Sequence, residues 1–248
     1  MIILLPPSET KTDGGVDASA LDLAALSFPE LTPQRRAMLA AVRQVSTSLS
    51  RSREALGLGS RQDFETLRNR AVRSSPVRPA IDRYAGVLYE AIAVPTLLPH
   101  DRQFALAHVV IQSALFGLLA AADPVPAYRL SHDSRLPGRS LRTLWRTPIA
   151  TGLQRLPGLT LDLRSHSYVA LGPAPASAVT VRVVSDSPDG RRLAVSHANK
   201  AAKGALVGAI VRAGIDHATV ADLLDWATAT GLALEPGTEG GVDLLVTV

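Results

Sequence analysis

Short apolar runs separated by polar turns make up most of the chain, and their lengths alternate between those of strands and those of helices. Residues 2–5 are continuously apolar and stop at Pro6-Pro7, which predicts a buried strand followed by the polar turn Ser8-Glu9-Thr10-Lys11. Thr32-Pro33 predicts a helix start, with Thr32 as N-cap and Pro33 at N1, running through Met38, Leu39, Val42 and Val45. Residues 79–93 are amphipathic, with Ile81, Tyr84, Val87, Leu88 and Ala91 on one side and Tyr89 on another face. A second strand is predicted over 108–112, a turn over 113–117, and a short strand over 127–130 that carries Arg129. Residues 141–153 read as a helix around Leu144 and Trp145. Residues 160–163 alternate as a strand ending in Arg164-Ser165-His166-Ser167-Tyr168. A hairpin joins 179–184 to 192–195 across Pro188-Asp189-Gly190, a helix covers 220–230, and a closing strand covers 242–248. No repeat or linker interrupts this order. The expectation is one α+β domain over 1–248, a mixed sheet with surrounding helices and a helical, arginine-rich subregion at about 33–93.

The most informative stretch is 193–214. Leu193-Ala194-Val195 predicts a strand, and after Ser196-His197 the pattern becomes helical until Gly214. Ser196 or Asn199 suits the N-cap. Lys200 and Lys203 then share one face of the first turn, where cations oppose the helix dipole and an anion would relieve them. Two solvated lysines are the plainer reading. The apolar remainder of the helix predicts burial nearly all round, which places the lysines at a cleft and favours a phosphate or carboxylate pocket.

Composition narrows the class. With 46% hydrophobic residues, 248 positions support a sizeable core. No run approaches a membrane span, and the apolar start before Pro6 is too short for a signal-peptide core, so a soluble cytoplasmic protein is expected. The absence of cysteine excludes disulfides, thiolate metal sites and a cysteine nucleophile. The net charge of +4 is unevenly spread, because between Arg35 and Arg83 arginines far outnumber Glu54, Asp63, Glu65 and Asp82. Such a block fits a polyanion surface, and an arginine-rich composition explains it equally. Within it, Gly57-Leu58-Gly59 between two helical patterns resembles the hairpin of a helix-hairpin-helix motif, whose glycine turn offers N–H groups to a DNA phosphate. Asp63 stands where that motif has a small residue. Lys11 reads equally as an anion ligand or a loop lysine, and Tyr89 as a cleft residue or a core-edge tyrosine.

Several short motifs, in one order along the chain, resemble the YaaA family of peroxide-stress proteins. They are Leu5-Pro6-Pro7-Ser8-Glu9-Thr10-Lys11; Gly86-Val87-Leu88-Tyr89; Ser113-Ala114-Leu115-Phe116-Gly117 with Asp123; Tyr128-Arg129-Leu130; Leu144-Trp145; Leu163-Arg164-Ser165 with Tyr168; and the block from Ser196 through Gly204. The resemblance implies a mixed α/β fold with a positively charged cleft and a helix-hairpin-helix-like element. It also implies DNA binding and a role in limiting damage from hydrogen peroxide and intracellular iron. Ala114, Ala120-Ala121, Ala198 and Asp63 depart from the family pattern and mark a divergent member.

Two functions are expected from different classes. The first is a protein of the peroxide-stress response that holds double-stranded DNA in a basic cleft, through phosphate contacts with little base readout. Its anion-binding residues would be Ser8, Lys11, Arg83, Arg129, Asn199, Lys200 and Lys203, with Gly57 and Gly59 at the hairpin. The second is an enzyme of nucleotide, nucleobase or other small-anion metabolism. There Lys11, Arg129, Lys200 and Lys203 would hold a nucleotide-like anion, with Lys11, Tyr89, Ser165, Tyr168 or His197 serving the reacting group. No carboxylate pair, Ser-His-Asp spacing or glycine-rich phosphate loop supports a named reaction. His100-Asp101 and His132-x-Ser134 lack metal-ligand spacing, so neither a metal nor a cofactor is expected.

Overall fold

The computed structural model describes residues 1–138, 140–186, 192–194 and 199–246. In chain order it runs β1 (Ile2–Leu5), α1 (Thr32–Val45), α2 (Leu49–Leu56), α3 (Asp63–Arg70), β2 (Arg78–Pro79), α4 (Ala80–Arg83) and α5 (Val87–Ile92). It continues with α6 (Pro99–His108), β3 (Val109–Ser113), β4 (Gly117–Ala120), β5 (Pro124–Val125), α7 (Leu141–Gln154), β6 (Thr160–Asp162) and α8 (His166–Leu171). The last elements are β7 (Val179–Asp186), β8 (Arg192–Ala194), α9 (Asn199–Ala213), α10 (Val220–Ala229), β9 (Leu234–Pro236) and β10 (Val242–Leu245).

The expected mixed α/β fold is present. Strands are ordered β4-β3-β1-β6-β7-β10-β9, with β8 paired to the far end of β7. The run from β3 to β10 is parallel, and β4, β9 and β8 join it antiparallel. β1 lies at its heart, with Ile3 facing Val109 on one side and Leu161 on the other. Ile3, Leu4 and Leu5 are fully buried, as the unbroken apolar run requires of a strand covered on both faces.

The chain leaves β1 to build β3 on one side, and returns to build β6 on the other. The segments following β1 and β6 therefore diverge from neighbouring parallel strands. In open α/β sheets this switch in direction opens a crevice beyond the carboxyl ends of the strands.

Helix α9 packs on α5 through its glycines. A Cβ on Gly204 would lie 2.2 Å from the Leu88 carbonyl oxygen, so only glycine permits this approach. On α7, the Trp145 indole is buried and donates to the Ala114 carbonyl at 2.9 Å. Gly117 has φ +71° and lies against that ring, so it serves both the turn and the packing.

Several local expectations are corrected. Helix α1 begins at Thr32 with Leu31 as its N-cap residue and no side-chain cap. The amphipathic run over 79–93 is two helices, because Tyr84 leaves the helix to form a bridge with Lys11 and Gly86 takes φ +101°. Residues 126–130 form no strand. Instead the Asn69 side chain takes the strand partner's role, accepting from the Arg129 N–H at 2.8 Å and donating to its carbonyl at 2.9 Å. Strand β3 begins at Val109, since His108 ends α6. The hairpin of β7 and β8 is antiparallel as expected, while its turn at 188–190 lies outside the described residues.

Candidate functional site

Beyond β1 and β6 lies a cleft of ≈ 710 Å³, with one wall formed by residues 6–10 and the other by residues 163–168. The start of α5 and the start of α9 close it, and His132 borders it. It occupies the crevice that the strand order creates.

The first wall is held from behind, carbonyl by carbonyl. The Tyr89 hydroxyl donates to the Pro6 carbonyl at 2.8 Å. Lys11 donates its ammonium to the carbonyls of Ser8 at 2.8 Å and Glu9 at 3.0 Å, and the Ala85 N–H donates to Thr10 at 3.1 Å. With these acceptors satisfied internally, the loop offers the side chains of Ser8, Glu9 and Thr10 to the cleft.

Lys11 itself is not in the cleft. It is 3% exposed and lies beneath the loop, over the rings of Tyr128 and Tyr84. Burial lowers its pKa to about 7, against which the negative field of Glu65 acts. Tyr84 and Tyr128 share a hydrogen bond of 2.8 Å, and the Tyr128 and Ser113 hydroxyls another of 2.6 Å. Ser113 Oγ also accepts from the N–H groups of Leu115 and Phe116, which gives the Ser-Ala-Leu-Phe-Gly segment a structural purpose. Burial, chiefly, pushes Tyr84 up to about 12, and it raises Tyr89 and Tyr128 well above the ordinary tyrosine range. These hydroxyls stay protonated and act as donors.

The second wall is set by Arg164. Its guanidinium is buried, grips Asp162 through Nε at 2.9 Å and Nη2 at 2.6 Å, and donates to the Gly172 carbonyl at 2.7 Å and to Gln112. Ser165, His166 and Ser167 are exposed beyond it. Tyr168 is buried, with its ring edge-on to His132 at 5.4 Å, and burial raises its pKa.

Lys200 and Lys203 enter from the first turn of α9, as their spacing predicts, and both line the cleft with Asn199. Lys203 is 8% exposed, and its ammonium donates to the Leu163 carbonyl at 3.1 Å. Burial lowers its pKa, opposed by the more distant Asp162. The Asp162 carboxylate is already gripped by Arg164, so Lys203 makes no salt bridge among the described residues. Lys200 is exposed.

Arg129 stands behind the first wall. It is 9% exposed, and its Nη2 lies 2.6 Å from Glu9, a cleft-lining carboxylate. Arg83 is elsewhere. It is fully buried, with Nε donating to Val125, Nη1 to Thr12, and Nη2 to Gly14 and Pro76, all at backbone carbonyls. Four of its five N–H groups are thus spent on backbone carbonyls, and the buried side chain does not line the cleft.

Much of the arginine block is likewise committed. Arg35 is buried and donates to the carbonyls of Phe116, Ser27 and Leu118, while Arg70 donates to Ser46 and Thr47. Gly57 caps α2 with φ +64°, and Gly59 precedes the turn into α3. Asp63 opens α3 in a paired contact with Arg53 at 2.8 and 2.6 Å. The start of α3 thus carries a carboxylate where a helix-hairpin-helix would offer donors. His197 and Ala198 lie outside the described residues.

Glu9, His132 and His166 also line the cleft, although the sequence pattern marks none of them as an anion-binding or catalytic candidate. Only the nearness of Glu9 to the Ser8 and Lys11 positions could have pointed to it. No group of three or more His, Asp or Glu side chains suited to a metal occurs among the described residues. Among the described residues, no helix is long and apolar enough to cross a membrane.

A family model described as "Peroxide stress protein YaaA" matches residues 1–237. A UPF0246 protein of Corynebacterium efficiens is 42% identical over 240 residues, covering 95% of each chain. A UPF0246 protein of Streptomyces coelicolor is 35% identical over 243 residues, covering 95% of this chain and 92% of its own. An uncharacterized protein of Campylobacter jejuni is 24% identical over 211 residues, covering 84% of this chain and 83% of its own.

Proposed function

This chain belongs to the peroxide stress protein YaaA family, and on that premise we propose that its cleft binds a small phosphate- or carboxylate-bearing metabolite in the service of the peroxide-stress response. The observation that carries the reading is Lys203, a nearly buried ammonium at the positive end of a helix whose only described hydrogen bond goes to one carbonyl. Desolvation and the helix dipole both disfavour that charge in an empty cleft, and a bound oxyanion offsets both. Lys200 adds a second positive charge, and Ser8, Thr10, Ser165 and Ser167 supply hydroxyl donors around the same space. His132 and His166 bring imidazoles to the border, the groups that proton transfer to a bound metabolite would use.

The test is titration with inorganic phosphate and adenosine monophosphate, comparing the wild type with K200Q/K203Q. Affinity should fall about tenfold or more, the scale of one lost charge-assisted contact in a partly desolvated site. Unchanged affinity rejects the reading. In a strain lacking the gene, K200Q/K203Q should also fail to restore survival under peroxide.

DNA binding is the second reading, favoured by Arg36, Arg43, Arg61 and Arg73, which are exposed and make no salt bridge among the described residues. Anisotropy titrations at two salt concentrations separate the two, because a phosphate-contact surface weakens steeply with salt.

A further inference from the structure

Three arginine–carboxylate pairs in this fold fill the guanidinium edge that Arg129 leaves half used. Arg53 with Asp63, Arg164 with Asp162 and Arg182 with Asp243 each present Nε and Nη2 together, so that one guanidinium edge holds both carboxylate oxygens. Arg129 contacts Glu9 through Nη2 alone, and its buried Nε has no hydrogen-bond partner. Nε–H and Nη2–H lie on the same edge of a guanidinium, so this edge is half filled.

The two partners also differ in how firmly they are held. The Arg129 backbone is clamped by the Asn69 amide on both its N–H and its carbonyl, and the residue is 9% exposed. The Glu9 side chain is 54% exposed and lines the cleft. A clamped, buried receptor thus meets a solvent-exposed occupant. Exchanging Glu9 for another oxyanion keeps the charge balance of Arg129 and returns Glu9 to water, so the exchange has little electrostatic cost. An incoming carboxylate or phosphate with two oxygens on one face would satisfy Nε as well, which Glu9 does not.

Resting on the oxyanion reading of the cleft given above, we infer that Arg129 is a second oxyanion receptor, occupied in the empty protein by Glu9. The ligand is therefore a small molecule carrying two separated carboxylate or phosphate groups. One is taken by Lys200 and Lys203 at α9, and the other is presented side-on to Arg129 after displacing Glu9. Glu9 sets specificity by competition: a weak or singly charged group does not displace it.

The experiment uses the full chain and inorganic phosphate followed by calorimetry. Glu9→Gln removes the internal competitor from an exposed position, and it should raise affinity for a phosphate at this receptor by about tenfold. The gain should vanish in E9Q/R129K, which keeps the charge but loses the two-donor edge. It should persist in E9Q/K200Q/K203Q, because the two receptors are separate. No gain in E9Q, or a gain that survives in E9Q/R129K and so reflects net charge alone, overturns the inference. If K200Q/K203Q weakens wild-type binding while the Glu9 and Arg129 variants change nothing, the cleft reading stands and this one falls. No saturable phosphate binding to any of the variants rejects both.

Discussion

The Lys11 ammonium lies 4.3 Å from the centroid of the Tyr128 ring, inside the protein, while its neighbours Ser8 and Glu9 face the cleft. A lysine so placed is a strut for the loop, and its pKa makes the strut pH-sensitive. With its pKa lowered to about 7 by burial, Lys11 binds fewer protons in the native state than in the unfolded chain between about pH 7 and 10.5. Stability therefore rises with pH across that window, and the cost of burying the charge is felt in full below it. Lys11→Met should flatten this rise, measured by denaturant unfolding from pH 6 to 10. An unaltered pH slope in K11M would show that Lys11 titrates normally.

Gly204→Ala should destabilise by about 1–3 kcal/mol despite the better helix propensity of alanine, because the new methyl meets the Leu88 carbonyl oxygen at 2.2 Å. Gly208→Ala should cost less, since its nearest neighbour is the movable end of the Arg212 side chain at 2.7 Å. Paired thermal melts test the ranking. Equal losses at the two positions would contradict it.

Arg35→Met should lower stability by about 2–4 kcal/mol, because the carbonyls of Phe116, Ser27 and Leu118 lose a shared buried donor. Arg43→Gln, at an exposed position of α1, should change stability little. Chemical denaturation of the two variants distinguishes a structural arginine from a surface one within the same basic block.

Tyr89→Phe deletes the donor to the Pro6 carbonyl and nothing else. Stability should fall by about 1 kcal/mol. Phosphate affinity should fall as well, because the loop bearing Ser8 and Thr10 loses one of its ties. Affinity that stays at the wild-type level in Y89F would mean that Lys11 and the Ala85 N–H suffice to set the loop.

What the sequence reveals here depends on whether a residue's partner is local. Residues 2–5, 141–154 and 199–213 are legible because each buries an apolar pattern whose period needs no knowledge of its neighbours. Lys200 and Lys203 are legible for the same reason, since their helix position follows from three or four adjacent residues. Arg83 is not, because its acceptors at Thr12, Gly14, Pro76 and Val125 come from distant segments. A run of arginines reads as surface charge until those carbonyls are seen. The alternation over 127–130 looks like a strand, yet its partner is a single side chain, Asn69. The break at Tyr84 is equally nonlocal, since the bridge that draws it out of the helix is made with Lys11.

The contact of α5 with α9 has a consequence for how this protein can change over time. Tyr89 on α5 ties one lip of the cleft, and Lys203 on α9 ties the other. The gap between the lips is thus inherited from the spacing of two helices, and that spacing is fixed by a hydrogen atom at Gly204 where other residues have a carbon. Loop residues such as Ser8, Thr10, Ser165 and Ser167 can drift and retune the chemistry without moving the jaws. A change of aperture, by contrast, demands paired replacements on both helices at once. Specificity in this lineage should consequently diverge by exchange of loop side chains within a frame of constant width.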